Sequence, residues 1–234
     1  FAGLNSKYMK IEKRWVISFV IISLISIAAL FWPEQTSLPK PGTFLKEDNI
    51  VGSDVAWILA SSGLVLLMTP GLSFFYGGMV GKKNVISTML QSFIALGVIS
   101  ILWVVVGFSL SFGDSIGIKI NGEHYGLIGN PGSYLFFNNV GVLPHSQMAS
   151  TIPFILFALF QMKFAVITPA LITGSFAERV RFISYLLFMV LFSLIIYTPL
   201  CHMVWHPDGL LNKYFGVKDF AGGTVVHMSA GFAA

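Results

Sequence analysis

The chain reads as an all-α, polytopic membrane helical bundle, and three observations predict it. Of its 234 residues 55% are hydrophobic and only 10% charged, where a soluble domain carries about a quarter charged. Several apolar runs reach the ~20 helical residues that a hydrocarbon core about 30 Å thick demands. Lys and Arg gather at the short connections between those runs. In lipid a backbone must satisfy its own polar groups, so the runs read as helices. The net charge of +4 therefore reports topology and predicts no nucleic-acid partner.

Taken in order, the first apolar run spans residues 16–32 and follows Lys10, Lys13 and Arg14, with Met9 as a possible start. A basic flank, an apolar stretch and the small residues Ser26 and Ala28 fit a signal peptide cleaved after Ala28, or an uncleaved anchor. Residues 33–53, with Pro33, Pro39, Pro41 and mixed charges, form a linker. Spans are predicted at 55–80, 85–112, 151–176 and 182–204, and a fifth begins at Phe220 and is cut off at Ala234.

Alternation from a cytosolic N-terminus puts the loops 81–84 and 177–181 inside, where they carry Lys82, Lys83, Arg179 and Arg181. The outer loop 113–150 holds a single basic residue, Lys119, among Gly, Asn and Ser. That asymmetry obeys the positive-inside rule and predicts a multi-pass protein of the cell (inner or plasma) membrane. With the leader cleaved, the mature N-terminus is extracytoplasmic. Glycines within and beside the spans let helices approach closely where lipid gives no hydrophobic drive, and Pro70 and Pro169 should kink theirs. The lone Cys201 excludes an intrachain disulfide and reads as a small buried hydrophobe.

Chemistry concentrates in residues 219–231. Asp219 opens a helix as its N-cap, and His227 follows eight residues later, roughly 12 Å deeper at an α-helical rise and so near the midplane. Asp219, Gly223, His227 and Gly231 are four apart and share one helix face. An ionisable group at such depth is a functional hypothesis, and Thr224 is the one evident hydrogen-bond partner for the imidazole on its own helix. Phe160 and Phe164 stack on one face of the third predicted core span, as plain packing or as a gate that keeps a pore dry. Trp205 closes the next span, as an interfacial anchor or as a surface for a small cation. Lys163 lies mid-span, where a charge is expensive; it can be neutral, snorkel, or bond another helix's carbonyls.

These residues resemble a known family. DFAGGTVVHMSAG at 219–231 is similar to the signature of the ammonium transporter (Amt/Mep/Rh) family, and three further blocks fit in order: FFYGGMVGKKN at 74–84, FQMKFAVITPALITGSFAERVRF at 160–182 and HMVW at 202–205. The resemblance covers residues 54–234. It implies the N-terminal part of an eleven-helix fold, truncated in the fifth core helix, in homotrimers whose subunits each carry a narrow hydrophobic pore.

Residue by residue, the resemblance gives Phe160, Phe164 and Trp205 to an external ammonium recruitment site, with Phe164 also the upper gate. Asp219 matches the acid needed for substrate recognition. His227 matches the first of two pore histidines, the second lying beyond this chain with the lower gate. The implied cargo is ammonium/ammonia or methylammonium, with no cofactor, and a PII-type regulator acts on a cytosolic tail beyond these residues. An ammonium sensor on the same fold is the alternative. An enzyme finds no support: no H-E-x-x-H, P-loop or G-x-S-x-G pattern occurs. Nor does the loop tripeptide Asn130-Pro131-Gly132 make a water channel.

Overall fold

The architecture comes from a computed structural model that describes residues 42–234 together with Val20 and Leu24. The leader assigned to residues 16–32 and the linker as far as Pro41 otherwise fall outside the described residues. Four helices are long and apolar enough to cross a membrane: α1 (Gly52–Met79), α2 (Val85–Phe112), α3 (Phe154–Phe176) and α4 (Phe182–Trp205). A fifth, α5, occupies residues 223–233. The first four match the expected spans to within a turn, because long apolar runs leave the backbone no other way to bond itself.

Two spans carry a wide turn. The Phe108 amide bonds the Trp103 carbonyl five residues back in α2, and the Thr198 amide does the same to Ser193 in α4. Such π-helical turns are rare and gather at functional places. Here they end on the aromatic core, where Trp103, Phe108, Phe112, Phe154 and Tyr197 are all buried.

Polar bonds between spans fix the packing. The Trp103 indole donates to the Ala158 carbonyl at 3.1 Å, tying α2 to α3. Ser73 donates to Met89 at 2.9 Å, and the Tyr76 hydroxyl to Leu171 at 2.6 Å. Without water to compete, such pairs hold helices that hydrophobicity cannot sort. α1 packs on α2 and α3, and α5 on α3 and α4. Pro169 stands three residues before Ile172, where the helical hydrogen bonding of α3 is interrupted. Cys201 is buried and free.

The stretch 113–150 departs from the all-α expectation. It carries an antiparallel hairpin, β1 (Ser115–Ile120) and β2 (Glu123–Gly129), with Ile120 opposite Glu123. Asn121 at φ 53 and Gly122 at φ 85 make the turn, the left-handed pair that a two-residue hairpin needs. The described end of the linker is also pinned. Leu45 bonds Pro144 at 2.8 Å, Ser146 bonds Thr43 at 2.9 Å and Val51 bonds Thr151 at 2.9 Å. At the opposite end of the bundle the two short loops meet: Glu178 accepts the Gly81 amide and the Asn84 side-chain amide, each at 2.9 Å.

Candidate functional site

At the hairpin end of the bundle, α3, the end of α4 and the segment before α5 enclose a cavity of about 340 Å³. Phe160, Phe164, Trp205 and Asp219 all line it, with Phe112, Phe157 and Gln161. The sequence put these four on three separate elements, and the fold brings them together. Phe160 and Phe164 meet edge to face at 5.1 Å and 83°, and Trp205 meets Phe164 at 6.0 Å and 71°. The helical stack and the interfacial indole are thus one aromatic surface. Aromatic faces attract a cation most strongly where water is excluded. The Gln161 side-chain oxygen is buried here without a protein partner.

Asp219 corrects the expected helix start. Residues 219–222 precede α5, and Gly222 holds φ +74, a left-handed conformation that glycine adopts at little cost. The chain therefore turns before the helix begins, and the Asp219 carboxylate reaches forward across that turn. Its Oδ1 accepts the Gly223 amide at 2.7 Å, and its Oδ2 the amides of Thr224 at 3.1 Å and Val225 at 3.0 Å. Three otherwise orphaned helix donors are satisfied by one side chain standing outside the helix. The capping role holds; the N-cap position and the shared face with His227 do not.

His227 moves accordingly. It lies in the π-helical opening of α5, Gly223–Met228, four residues past its first residue, so an α-helical rise does not measure its depth below Asp219. Its side chain is exposed, outside the aromatic cavity, and no bond to Thr224 forms. Val225 and Val226, at 0% and 3% exposure, take the packed face instead. The Lys163 Nζ donates to the Leu159 carbonyl of its own helix at 2.7 Å, one turn back toward the hairpin end, the direction a snorkelling side chain takes.

Several residues here carried no sequence-level role. His202 and His206 stack at 4.4 Å and 17°, with the Ser115 hydroxyl 2.9 Å from His202 Nε2 and 3.3 Å from His206 Nδ1. Their spacing of four was the available signal, but a helical period cannot reveal a partner in a hairpin ninety residues away. A second cavity, also about 340 Å³, adjoins the first through Phe112, Gln147 and Met148, and Asp114, Tyr134, His145 and His206 wall it. Burial holds the His145 imidazole below its ordinary value against the pull of Asp114. Burial, with His202 and His145 adding, pushes His206 down to about 3. Both rings are neutral near pH 7, so this wall adds no positive charge.

With the geometry described, three comparisons place the chain among known proteins. Residues 56–234 match the Ammonium Transporter Family. An ammonium transporter of Mycobacterium tuberculosis is 42% identical over 203 residues, covering 78% of this chain and 41% of that protein. The crystal structure of Saccharomyces cerevisiae Mep2 superposes with a TM-score of 0.69 at 33% identity, over 80% of this chain and 40% of Mep2. A structure titled Sensor Amt Protein matches at a TM-score of 0.66 and 30% identity, over 80% of this chain and 44% of that one. The chain thus spans about two fifths of the length of these relatives.

Proposed function

The chain belongs to the ammonium transporter family, and from that premise we propose that it supplies the external recruiting half of a conduit for ammonium and ammonia. The observation that carries this reading is the convergence of Phe160, Phe164, Trp205 and Asp219 on one cavity. Ammonium is small, hydrated and of the same charge as potassium. An aromatic wall that replaces part of its water shell favours it by about 2 kcal/mol or more once desolvated.

Asp219 acts here through its field. Both its oxygens already accept helix amides, so it holds the mouth open in shape and keeps one negative charge beside the rings. Phe164 touches both Phe160 and Trp205 and stands one helical turn farther along α3 from the hairpin end than Phe160, which suits a gate excluding hydrated ions. His227 is assigned to the pore on the motif match, with its unpacked face as support. An imidazole titrates nearest neutral pH and can pass a proton while ammonia moves separately. Homotrimeric assembly, a PII-type regulator and the outward orientation of the hairpin end belong to the same proposal.

The test is uptake of methylammonium by the full-length protein that contains this chain. Trp205→Leu and Phe164→Ala should each raise KM about tenfold, and Phe164→Ala should also admit potassium. Unchanged KM in both variants would overturn the reading. A sensor on the same fold is favoured by the likeness to the Sensor Amt Protein. A sensor would bind methylammonium at the same residues with no flux across the membrane.

A further inference from the structure

We propose that Ser115, His202 and His206 form a buried positioning clamp that sets where the Trp205 indole stands over the aromatic cavity. The inference rests on the recruiting role proposed for Trp205 and extends it to residues that do not line that cavity.

The hydrogen bonds fix every proton in the clamp. His202 is fully buried and lies on α4 three residues before Trp205. Its Nδ1 is 2.9 Å from the Ser111 carbonyl of α2, which can only accept, so Nδ1 carries the hydrogen. Nε2 is then an acceptor and takes the Ser115 hydroxyl at 2.9 Å. His206 immediately follows Trp205. Its Nδ1 accepts the Asp208 amide at 3.1 Å, so its hydrogen is on Nε2, and its ring stacks on His202.

The hairpin closes the arrangement. A Cβ on Gly126 would lie 2.5 Å from His202 Nε2, so β2 approaches the ring only because that residue is glycine. The Gly126 amide then bonds the Asp208 carbonyl at 2.7 Å. Trp205 is therefore bracketed, one turn before and one residue after, by rings held from α2, β1 and β2. Its one ring contact in the cavity is the edge contact with Phe164. The indole is half-buried against the core, and the helix end that bears it sets where its ring meets Phe164. The Ser115 hydroxyl is the side-chain link between that helix end and the hairpin, beside the backbone bond from Gly126 to Asp208.

A positioning role and a purely structural one differ in what they move. Removing the hydroxyl by Ser115→Ala should raise KM for methylammonium about fivefold, the factor one net hydrogen bond is worth, with maximal flux per molecule retained. The same change in a Trp205→Leu background should leave KM where Trp205→Leu alone puts it, because the clamp acts through the indole. Ser115→Cys, with a thiol of similar size and weaker donation, gives the same cycle if the alanine variant fails to reach the membrane. An unchanged KM, or equal factors in both backgrounds, would overturn the clamp while the Trp205→Leu effect stands. If Trp205→Leu itself leaves KM unchanged, the recruiting reading and the clamp fall together.

Discussion

The Asp219 carboxylate takes the Gly223 amide at 2.7 Å from four residues upstream, across a left-handed Gly222. One side chain therefore serves two ends, the helix N-terminus it closes and the cavity it lines. Asp219→Ala removes acceptors for three amides and should cost about 1–2 kcal/mol of local stability, read as faster amide exchange at Thr224 and Val225. Asp219→Asn keeps one carbonyl acceptor but no charge. It should retain most of that protection and still raise KM for methylammonium. If Asn and Ala behave alike in both measurements, cap and charge are not separable functions of this residue.

The tie between Glu178 and the 81–84 loop gives a second prediction. Hydrogen bonds from Asn84 and then from Gly81 hold the Glu178 carboxyl below its ordinary value of 4.5, slightly opposed by desolvation. A depressed folded value means the tie is present above the unfolded value and is lost as pH falls through the folded one. Protection of the Gly81 amide should thus be flat from pH 7 to about 5 and decline in more acid solution. Glu178→Ala should abolish that protection at neutral pH and speed trypsin cleavage at Lys82 and Lys83. Equal cleavage of the two proteins would exclude the tie as what orders these loops.

What the sequence made legible follows from which forces are local. Spans α1 to α4 are dictated by length and apolarity, so their limits were readable to within a turn. The pairing of Phe160 with Phe164 is a helical period and was readable too. The hairpin was missed although Asn121-Gly122 is its signal, because small polar residues around it read as loop. The helix face and the rise linking Asp219 to His227 were not readable for a more specific reason. Counting rise from Asp219 presumes helix at Gly222, and a left-handed glycine followed by a π-helical turn breaks that count. The contact of Ser115 with His202 is tertiary, and no local pattern encodes it.

The indole of Trp103 offers a test of the packing that positions α3. It is 2% exposed and gives its N–H to Ala158, two residues before Phe160. Trp103→Phe keeps an aromatic ring but removes this donor from a carbonyl that still accepts within its own helix, a net cost of about 0.5–1.5 kcal/mol. The purified protein should lose several degrees of thermal stability, while KM changes less than in Trp205→Leu. A variant as stable as the parent would show that α3 is held by shape alone.

Acid should loosen the hairpin end through His206. Its folded value of about 3 is set by burial first, then by His202 and His145, with Asp208 and Asp114 the acids on the same cavity. An unfolded imidazole takes its proton near 6.5. Between these values the opened segment binds more protons than the closed one, so the histidine's contribution is complete above about 6.5 and shrinks as pH falls toward 3. Protonation also turns Nδ1 from acceptor to donor, which breaks its bond from the Asp208 amide. Amide exchange at Asp208 and Gly126, corrected for intrinsic rates, should therefore show protection lost between pH 6 and 4. His206→Gln, which has no proton to gain, should flatten that dependence. Protection of Gly126 that holds constant to pH 4 in the parent would mean the hairpin does not depend on the imidazole's charge.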